Sequence, residues 1–362
     1  MFNIRRSLNP DTHIALISDI NCQDGSYLAE LLIENGYEVY GISPNSYYTI
    51  RYHNIGHIIK NLRIITGDCC DTNFINRTIK TIISKYPYIE YFHIYDFDIQ
   101  SDVGLSFEIP QETMEKNIKG THNLLECIRN IEFPFRNKIK IFHASSSEIF
   151  GHGENEGILN ENSKIAPVTP YGCSKAAAYN LVKFYRDTYD INACIGILFN
   201  HESPRQSESF VTKKIINGMK KFMNDINNNI DPPTPVVLGN VSSSRDWGHA
   251  LDYVYAMWLM MSDYRHNDYV ICAQSQYTIV DFISLVASEM DIELKWVDET
   301  DGHPMYAIDT KTGHKVIISS KSFHREVEIM SKIGTSFKIQ KELNWEATMN
   351  IHDIIKEMVK YD

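Results

Sequence analysis

Apolar residues fall along the chain in an alternating rhythm. A short apolar run, Ile14-Ala15-Leu16-Ile17, reads as a buried strand, and over residues 26–35 the apolar positions Leu28, Leu31 and Leu32 take helical spacing. Gly36 stops that helix, and residues 38–42 (EVYGI) read as a second strand. The rhythm then repeats: strand 62–66, helix 72–85, strand 91–95, helix 113–130, strand 140–144, helix 174–189, strand 193–199. Strands alternating with helices of this length imply a parallel sheet covered on both faces, with ligands at the carboxyl ends of its strands. Beyond about residue 200 the alternation weakens. Residues 225–235 form a polar, proline-bearing loop and residues 351–359 an amphipathic helix. The expected fold is α/β, a Rossmann-type doubly wound parallel sheet with a smaller C-terminal substrate-binding lobe. Its dinucleotide-binding domain spans 1–199 plus 241–262, and the lobe 200–240 plus 263–362.

Composition narrows the function classes. The 362 residues are 43% hydrophobic and 22% charged, with a formal charge of -11. A chain this acidic lacks the basic face that nucleic-acid binding needs, although a local nucleotide pocket remains open to it. The seven cysteines include no CxxC pair, which suggests neither a metal ribbon nor a disulfide framework. The opening MFNIRRSLNPDTH has no apolar signal core and no run reaches membrane-spanning length. A soluble, cytoplasmic protein with reduced thiols is expected.

Two short stretches carry candidate chemistry. Tyr171-Gly172-Cys173-Ser174-Lys175 places a phenol and an ammonium one helical turn apart on one face. A lysine beside a tyrosine favours phenolate and makes it a usable base near neutral pH. Alone, such a pair is common. Upstream, Ala144-Ser145-Ser146-Ser147-Glu148 ends a strand aimed at the same sheet edge, bringing a hydroxyl and a carboxylate. Glu148 also has a plainer reading, as a carboxylate at a helix entry.

This order of features resembles the extended short-chain dehydrogenase/reductases that modify nucleotide sugars, and among them the GDP-mannose 4,6-dehydratase branch. The resemblance runs from about residue 14 to the C-terminus. It is carried by QDGSYLAELLIENGYEVYGI (23–42), ASSSEIFG (144–151), PYGCSK (170–175), GILFNHESPR (196–205), FVTKKI (210–215), LGN (238–240), RDWGHALDYVYAMWLM (245–260) and LNW (343–345). It implies that Tyr171, with Lys175, takes the mannose O4 proton and that Glu148 takes the C5 proton. Ser146 stands where the family has threonine. It further implies NADP or NAD held near Gln23, Asp24, Gly25, Asp68, Gln100, Ser101, Lys175 and His201. GDP-mannose or a related nucleotide sugar would be held by Asn200, Thr212, Lys213, Leu238, Gly239, Arg245 and Arg325. A homo-oligomer, dimer or tetramer, is implied as well.

The cofactor motif departs from the family. Its Gly-x-x-Gly-x-x-Gly turn reads Asp19-Ile20-Asn21-Cys22-Gln23-Asp24-Gly25, so only the third glycine remains. The arginine pair that grips a 2′-phosphate is replaced by Pro44-Asn45, so that a strong preference for NADP would require another cation such as Arg51, and the loop Asp96 to Asp102 adds carboxylates. Glu112 replaces a cofactor-side tyrosine and Gln206 an arginine. Dinucleotide binding is therefore expected to be weakened or lost, with little preference for NADP. Three functions follow: an active dehydratase, a related nucleotide-sugar dehydratase or epimerase, or a pseudoenzyme that binds GDP-sugars as a scaffold. The intact group Ser146, Glu148, Tyr171 and Lys175 places the first ahead. Structural readings stand beside these: an Arg245–Asp246 ion pair, a core His201, and Trp247, Tyr253 and Trp258 as packing residues.

Overall fold

The computed structural model describes residues 13–44, 54–97, 100–152, 157–298, 305–323 and 327–361. Asn45, Arg51, Asp98 and Arg325 lie outside them. The first half alternates as the sequence predicts: β1 (His13–Ile17), α1 (Gln23–Glu34), β2 (Glu38–Ser43), β3 (Leu62–Thr66), α2 (Thr72–Lys85) and β4 (Tyr91–Asp96). Next come α3 (Val103–Glu108), α4 (Pro110–Arg129), β5 (Ile139–Ser146), α5 (Pro170–Tyr189) and β6 (Ala193–Leu198). The second half holds β7 (Asn200–Glu202), α6 (Val211–Asn227), β8 (Val236–Leu238), β9 (Ser244–His249), α7 (Ala250–Ser262) and β10 (Asp268–Ile271). It ends with β11 (Gln276–Thr278), α8 (Ile279–Glu289), β12 (Leu294–Val297), β13 (Tyr306–Asp309), β14 (Lys315–Ser319), α9 (Phe337–Leu343) and α10 (Ile351–Lys360).

Seven parallel strands form the main sheet in the order β10-β6-β5-β4-β1-β2-β3. The chain order reverses between β1 and β4, the place where a doubly wound sheet opens a crevice at its strand ends. The strands read as near-continuous apolar runs because both faces are covered. Phe74, Leu124 and Val182 pack one face, and Leu28, Val254 and Met257 the other. A third apolar cluster, including Trp247, Phe282 and Met358, forms the core of the lobe. Its sheet runs β12-β13-β14-β8, and a small sheet, β11-β9-β7, links it to the crevice.

Several boundaries differ from the sequence reading, three of them in ways that bear on the site. Helix α1 begins at Gln23 because Cys22 caps it, and α5 begins at Pro170 because Thr169 accepts the Gly172 N–H. Helix α6 runs to Asn227, into the expected loop. The domain division also shifts. β10 pairs with β6 and completes the large sheet, and Trp345 is buried beside α7, donating to the Asp252 carbonyl at 2.9 Å. Residues 268–271 and 337–345 thus belong with the large domain, not with the lobe expected from 263 onward. A four-residue edge strand carries too little periodicity to reveal its partner. All seven cysteines are free thiols. Among the described residues no helix is long and apolar enough to cross a membrane.

Candidate active site

Strand β5 delivers the first two candidate groups. At its end the Ser146 hydroxyl accepts the Glu148 N–H at 3.2 Å, which turns the chain and aims Glu148 into the cleft. Helix α5 then packs tightly against this turn. A Cβ on Gly172 would lie 2.8 Å from the Glu148 carbonyl oxygen, so the absence of a side chain lets the Tyr171 turn approach Glu148. Lys175 is fully buried on the same face of α5 as Tyr171 and donates to the Ala144 carbonyl of β5. The Glu148 carboxylate sits 2.5 Å from the Lys332 ammonium and accepts more weakly, at 3.4 Å, from the Thr169 hydroxyl.

Tyr171 and Glu148 open onto a cavity of about 340 Å³ that reaches back to the start of α1, where Asp19, Cys22 and Asp24 line it. That volume is within the range of small-molecule sites. Burial pushes the Asp19 carboxyl up to about 6, against the Asn21 and Cys22 N–H groups that favour its charge. The Cys22 sulfur accepts the Gly25 N–H at 3.2 Å and donates to the Asp19 carbonyl at 3.1 Å. Burial, then the Asp19 and Asp24 carboxylates, raise this thiol far above its ordinary range, so it stays protonated. His201 pairs with Asp24 at 2.8 Å and stacks on Tyr253 at 4.4 Å between centroids. Burial opposes charge on His201, but the Asp24 charge and hydrogen bond outweigh it and raise its pKa.

The third glycine of the turn has a steric reason. A Cβ on Gly25 would lie 2.0 Å from the Asp19 carbonyl oxygen, so α1 can start this close to β1 only with glycine there. Gly25→Ala is expected to destabilise the fold by about 1–3 kcal/mol, read by denaturant unfolding; an unchanged midpoint would refute the packing argument.

These residues fit a dinucleotide, unevenly. The end at Tyr171, Lys175 and Ser146 offers a base, a cation and a hydroxyl. At the other end the first N–H groups of α1 lack intrahelical partners, but Cys22 has taken one of them and Asp19 adds negative charge. Pro44 carries no cation.

A second cavity, of about 230 Å³, adjoins the first, and Glu148, Asn200 and Glu202 border both. Its cations are Arg245 and Lys214. Arg245 pairs with Glu328 at 3.7 Å, and Asp246 instead accepts the Ala273 N–H, so the Arg245–Asp246 pair does not form. Burial lifts Glu202 to about 7, against hydrogen bonds from Thr212 and Gln206.

The candidate residues divide accordingly. Ser146, Glu148, Tyr171, Gln23, Asp24, Ser101 and His201 line the first cavity, and Asn200, Leu238, Gly239 and Arg245 the second. Thr212 is buried and donates to Glu202, while Lys213 donates to the Pro204 carbonyl at 2.7 Å; the next lysine, Lys214, faces the cavity instead. Gln100 is turned inward, its side chain tied to Thr113 and the Asp102 backbone. Asp68 is exposed and accepts the Cys70 N–H. The expected carboxylate cluster is smaller than the sequence suggests. Asp96 is buried against His143 and Thr121, and Glu112 pairs with Lys116. Asp102 caps α3 and borders the second cavity. Lys214, Glu202 and Lys332 were missed. Only Lys214 had a signal, since in KK at a helix start either lysine can face inward.

The family described as GDP-mannose 4,6 dehydratase matches residues 16–358. A GDP-mannose 4,6-dehydratase of Vibrio cholerae serotype O1 is 35% identical, covering 96% of this chain and 93% of its own. That of Dictyostelium discoideum is 34% identical, with coverage of 98% and 97%. Among solved structures, a UDP-glucose 4-epimerase from Thermotoga maritima with UDP-glucose aligns with TM-score 0.74 at 19% identity, covering 96% of this chain and 98% of its own. A dTDP-glucose 4,6-dehydratase from Bacillus anthracis in complex with NAD aligns with TM-score 0.71 at 16% identity, covering 97% and 96%.

Proposed function

The chain belongs to the GDP-mannose 4,6-dehydratase family, and from that premise we propose that it converts GDP-mannose to GDP-4-keto-6-deoxymannose. The observation that carries this reading is the meeting of Glu148 and Tyr171 in one cleft where the two cavities join, with Lys175 behind them. NADP or NAD, when bound, would supply reversible hydride chemistry, so that the net reaction is loss of water. Tyr171 takes the O4 proton, and the Lys175 ammonium one turn on favours its phenolate. Because the Ser146 oxygen already accepts the Glu148 N–H, its hydrogen is free to donate to the sugar oxygen. The Glu148 carboxylate takes the C5 proton and returns a proton to the departing C6 hydroxyl. Arg245 and Lys214 face the diphosphate, and Asn200, Leu238 and Gly239 the nucleotide. Gln23, Asp24 and Gly25 at the start of α1, with Ser101 and His201, would hold the dinucleotide. A homo-oligomer, dimer or tetramer, completes the reading.

The self-capped start of α1 favours a second reading, a GDP-sugar-binding protein that no longer holds a dinucleotide. One experiment separates them. The purified protein is incubated with GDP-mannose and either NADP or NAD, and the 4-keto product is followed; its denatured supernatant is assayed for nucleotides. Product with either cofactor is expected. GDP-mannose binding with no product under either, and no dinucleotide in the supernatant, would establish the second reading. Calorimetric titration is expected to show little preference for NADP over NAD, since Pro44 cannot pair with a 2′-phosphate.

A further inference from the structure

A buried cation, Lys332, lies against the Glu148 carboxylate. We propose that Lys332 is a positioning residue for Glu148, holding its carboxylate ionised and oriented where the two cavities meet; this rests on the dehydratase reading. The segment carrying Lys332 is pinned on both sides. Ser244 donates to the Met330 carbonyl at 2.8 Å, Leu159 to the Ile333 carbonyl at 2.9 Å, and Thr335 to the Leu159 carbonyl at 2.9 Å. The backbone therefore delivers the side chain inward, where Lys332 is only 2% exposed and its ammonium meets Glu148 at 2.5 Å.

Two charges this buried depend on each other. Removing one leaves the other desolvated and uncompensated. The other titratable groups lining the two cavities are Tyr171 from α5, Asp102 ahead of α3, Glu202 from β7, Lys214 from α6, Arg245 from β9 and Glu328, with Asp19, Cys22, Asp24, His201 and Arg205 toward the start of α1. Among the described residues, the Lys332 ammonium contacts the carboxylate directly and Arg245 is paired with Glu328.

The ammonium acts on both halves of the elimination. The C5–H bond breaks, its proton goes to a Glu148 oxygen, and its electron pair passes to the C4 carbonyl. Glu148, now neutral beside Lys332, is a stronger acid than it would be alone. It gives the proton to the C6 hydroxyl, the C6–O bond breaks, water leaves, and the electron pair returns to form the C5–C6 double bond. Lys332 keeps its proton throughout. It weakens Glu148 as a base but keeps it charged and quick to release.

The test uses Lys332→Met, Lys332→Arg, Glu148→Gln and the Glu148→Gln/Lys332→Met double variant. In kcat/KM for GDP-mannose at saturating dinucleotide, Lys332→Met should move the acid limb up by about 1–3 pH units, the size of the shift an adjacent opposite charge causes. That is a loss of about 10-fold or more at low pH that narrows to a few-fold at high pH, and Lys332→Arg restores the profile. An equal loss at every pH, or a gain of activity in Lys332→Met, overturns the proposal.

A second readout needs neither substrate nor cofactor: denaturant unfolding of the four proteins. A carboxylate held ionised by a partner contributes stability that is full above its unfolded pKa of about 4.3 and fades as pH falls through its lower folded value. The non-additivity between the two sites should therefore be present at neutral pH and shrink in acid, with the double variant recovering stability relative to Lys332→Met. Additive effects overturn the proposal. If Lys332→Met does not fold, folding of the double variant supports the pair, and its failure to fold overturns it. If the unaltered protein makes no product, the dehydratase reading falls, while the unfolding cycle still decides whether Lys332 holds Glu148 charged.

Discussion

Glu148→Gln is expected to lower GDP-mannose turnover by about 10²–10⁴-fold, the usual worth of a positioned acid–base group. This corresponds to about 3–6 kcal/mol of transition-state stabilisation. Glutamine keeps one oxygen for the Lys332 hydrogen bond and turns its amide toward Thr169, so the variant should fold and bind GDP-sugar, less stable by the charge it no longer offers Lys332. What it loses is the ability to take the C5 proton. Tyr171→Phe should cost a comparable factor for a different reason. The ring still packs, but no phenolate can form beside Lys175. Turnover and GDP-mannose titration on the same preparations check both. Unchanged turnover in either variant removes its assigned role, and lost sugar binding would mean that the substitution disturbed the cleft rather than the chemistry.

The Asp19→Gly/Cys22→Gly double variant is expected to bind NAD about 10- to 100-fold more tightly, the worth of one or two recovered hydrogen bonds to a charged group. Removing the Cys22 sulfur frees the Gly25 N–H it now holds at 3.2 Å, and removing Asp19 takes a carboxylate from the cavity wall. The changes should be non-additive, because the Cys22 thiol also donates to the Asp19 carbonyl, so both act on one turn. GDP-mannose affinity should barely move, since its cations, Arg245 and Lys214, line the other cavity. Calorimetry on both ligands decides the matter. Stoichiometric NADP copurifying with the unaltered protein would end the argument for a weakened site.

The same site predicts a pH dependence. Burial raises Asp19 to about 6, so its charge is present above that pH and lost below it. NAD affinity of the unaltered protein should therefore rise as pH falls through about 6. His201, raised by Asp24, titrates in the same direction, and the Asp19→Gly single variant isolates its share. Linkage to folding has the matching sign. A carboxyl raised above its unfolded value costs stability once ionised, so this group's contribution worsens as pH rises from 3.8 to about 6.

The sequence alone determined the parallel sheet, because its strands are buried on both faces and read as apolar runs between helices of regular period. It also singled out Glu148, Tyr171 and Lys175 as candidates, since a strand end and an i, i+4 pair are local patterns whose direction the element itself fixes. The loss of two glycines before α1 was legible for the same reason: a tight turn depends on the residues within it.

Tertiary structure decided what local pattern cannot encode. Asp96 reads as a cofactor-side charge in sequence, but His143 and Thr121, brought from β5 and α4, bury it. Lys213 and Lys214 are neighbours in sequence, and only the packing of α6 turns the second toward the cavity. β10 joins a sheet whose other strands lie far behind it in the chain. Lys332 meets Glu148 across 184 residues, a contact set by where the C-terminal segment returns to the crevice. Charges find partners by distance in space, and distance in space is what a linear pattern leaves out.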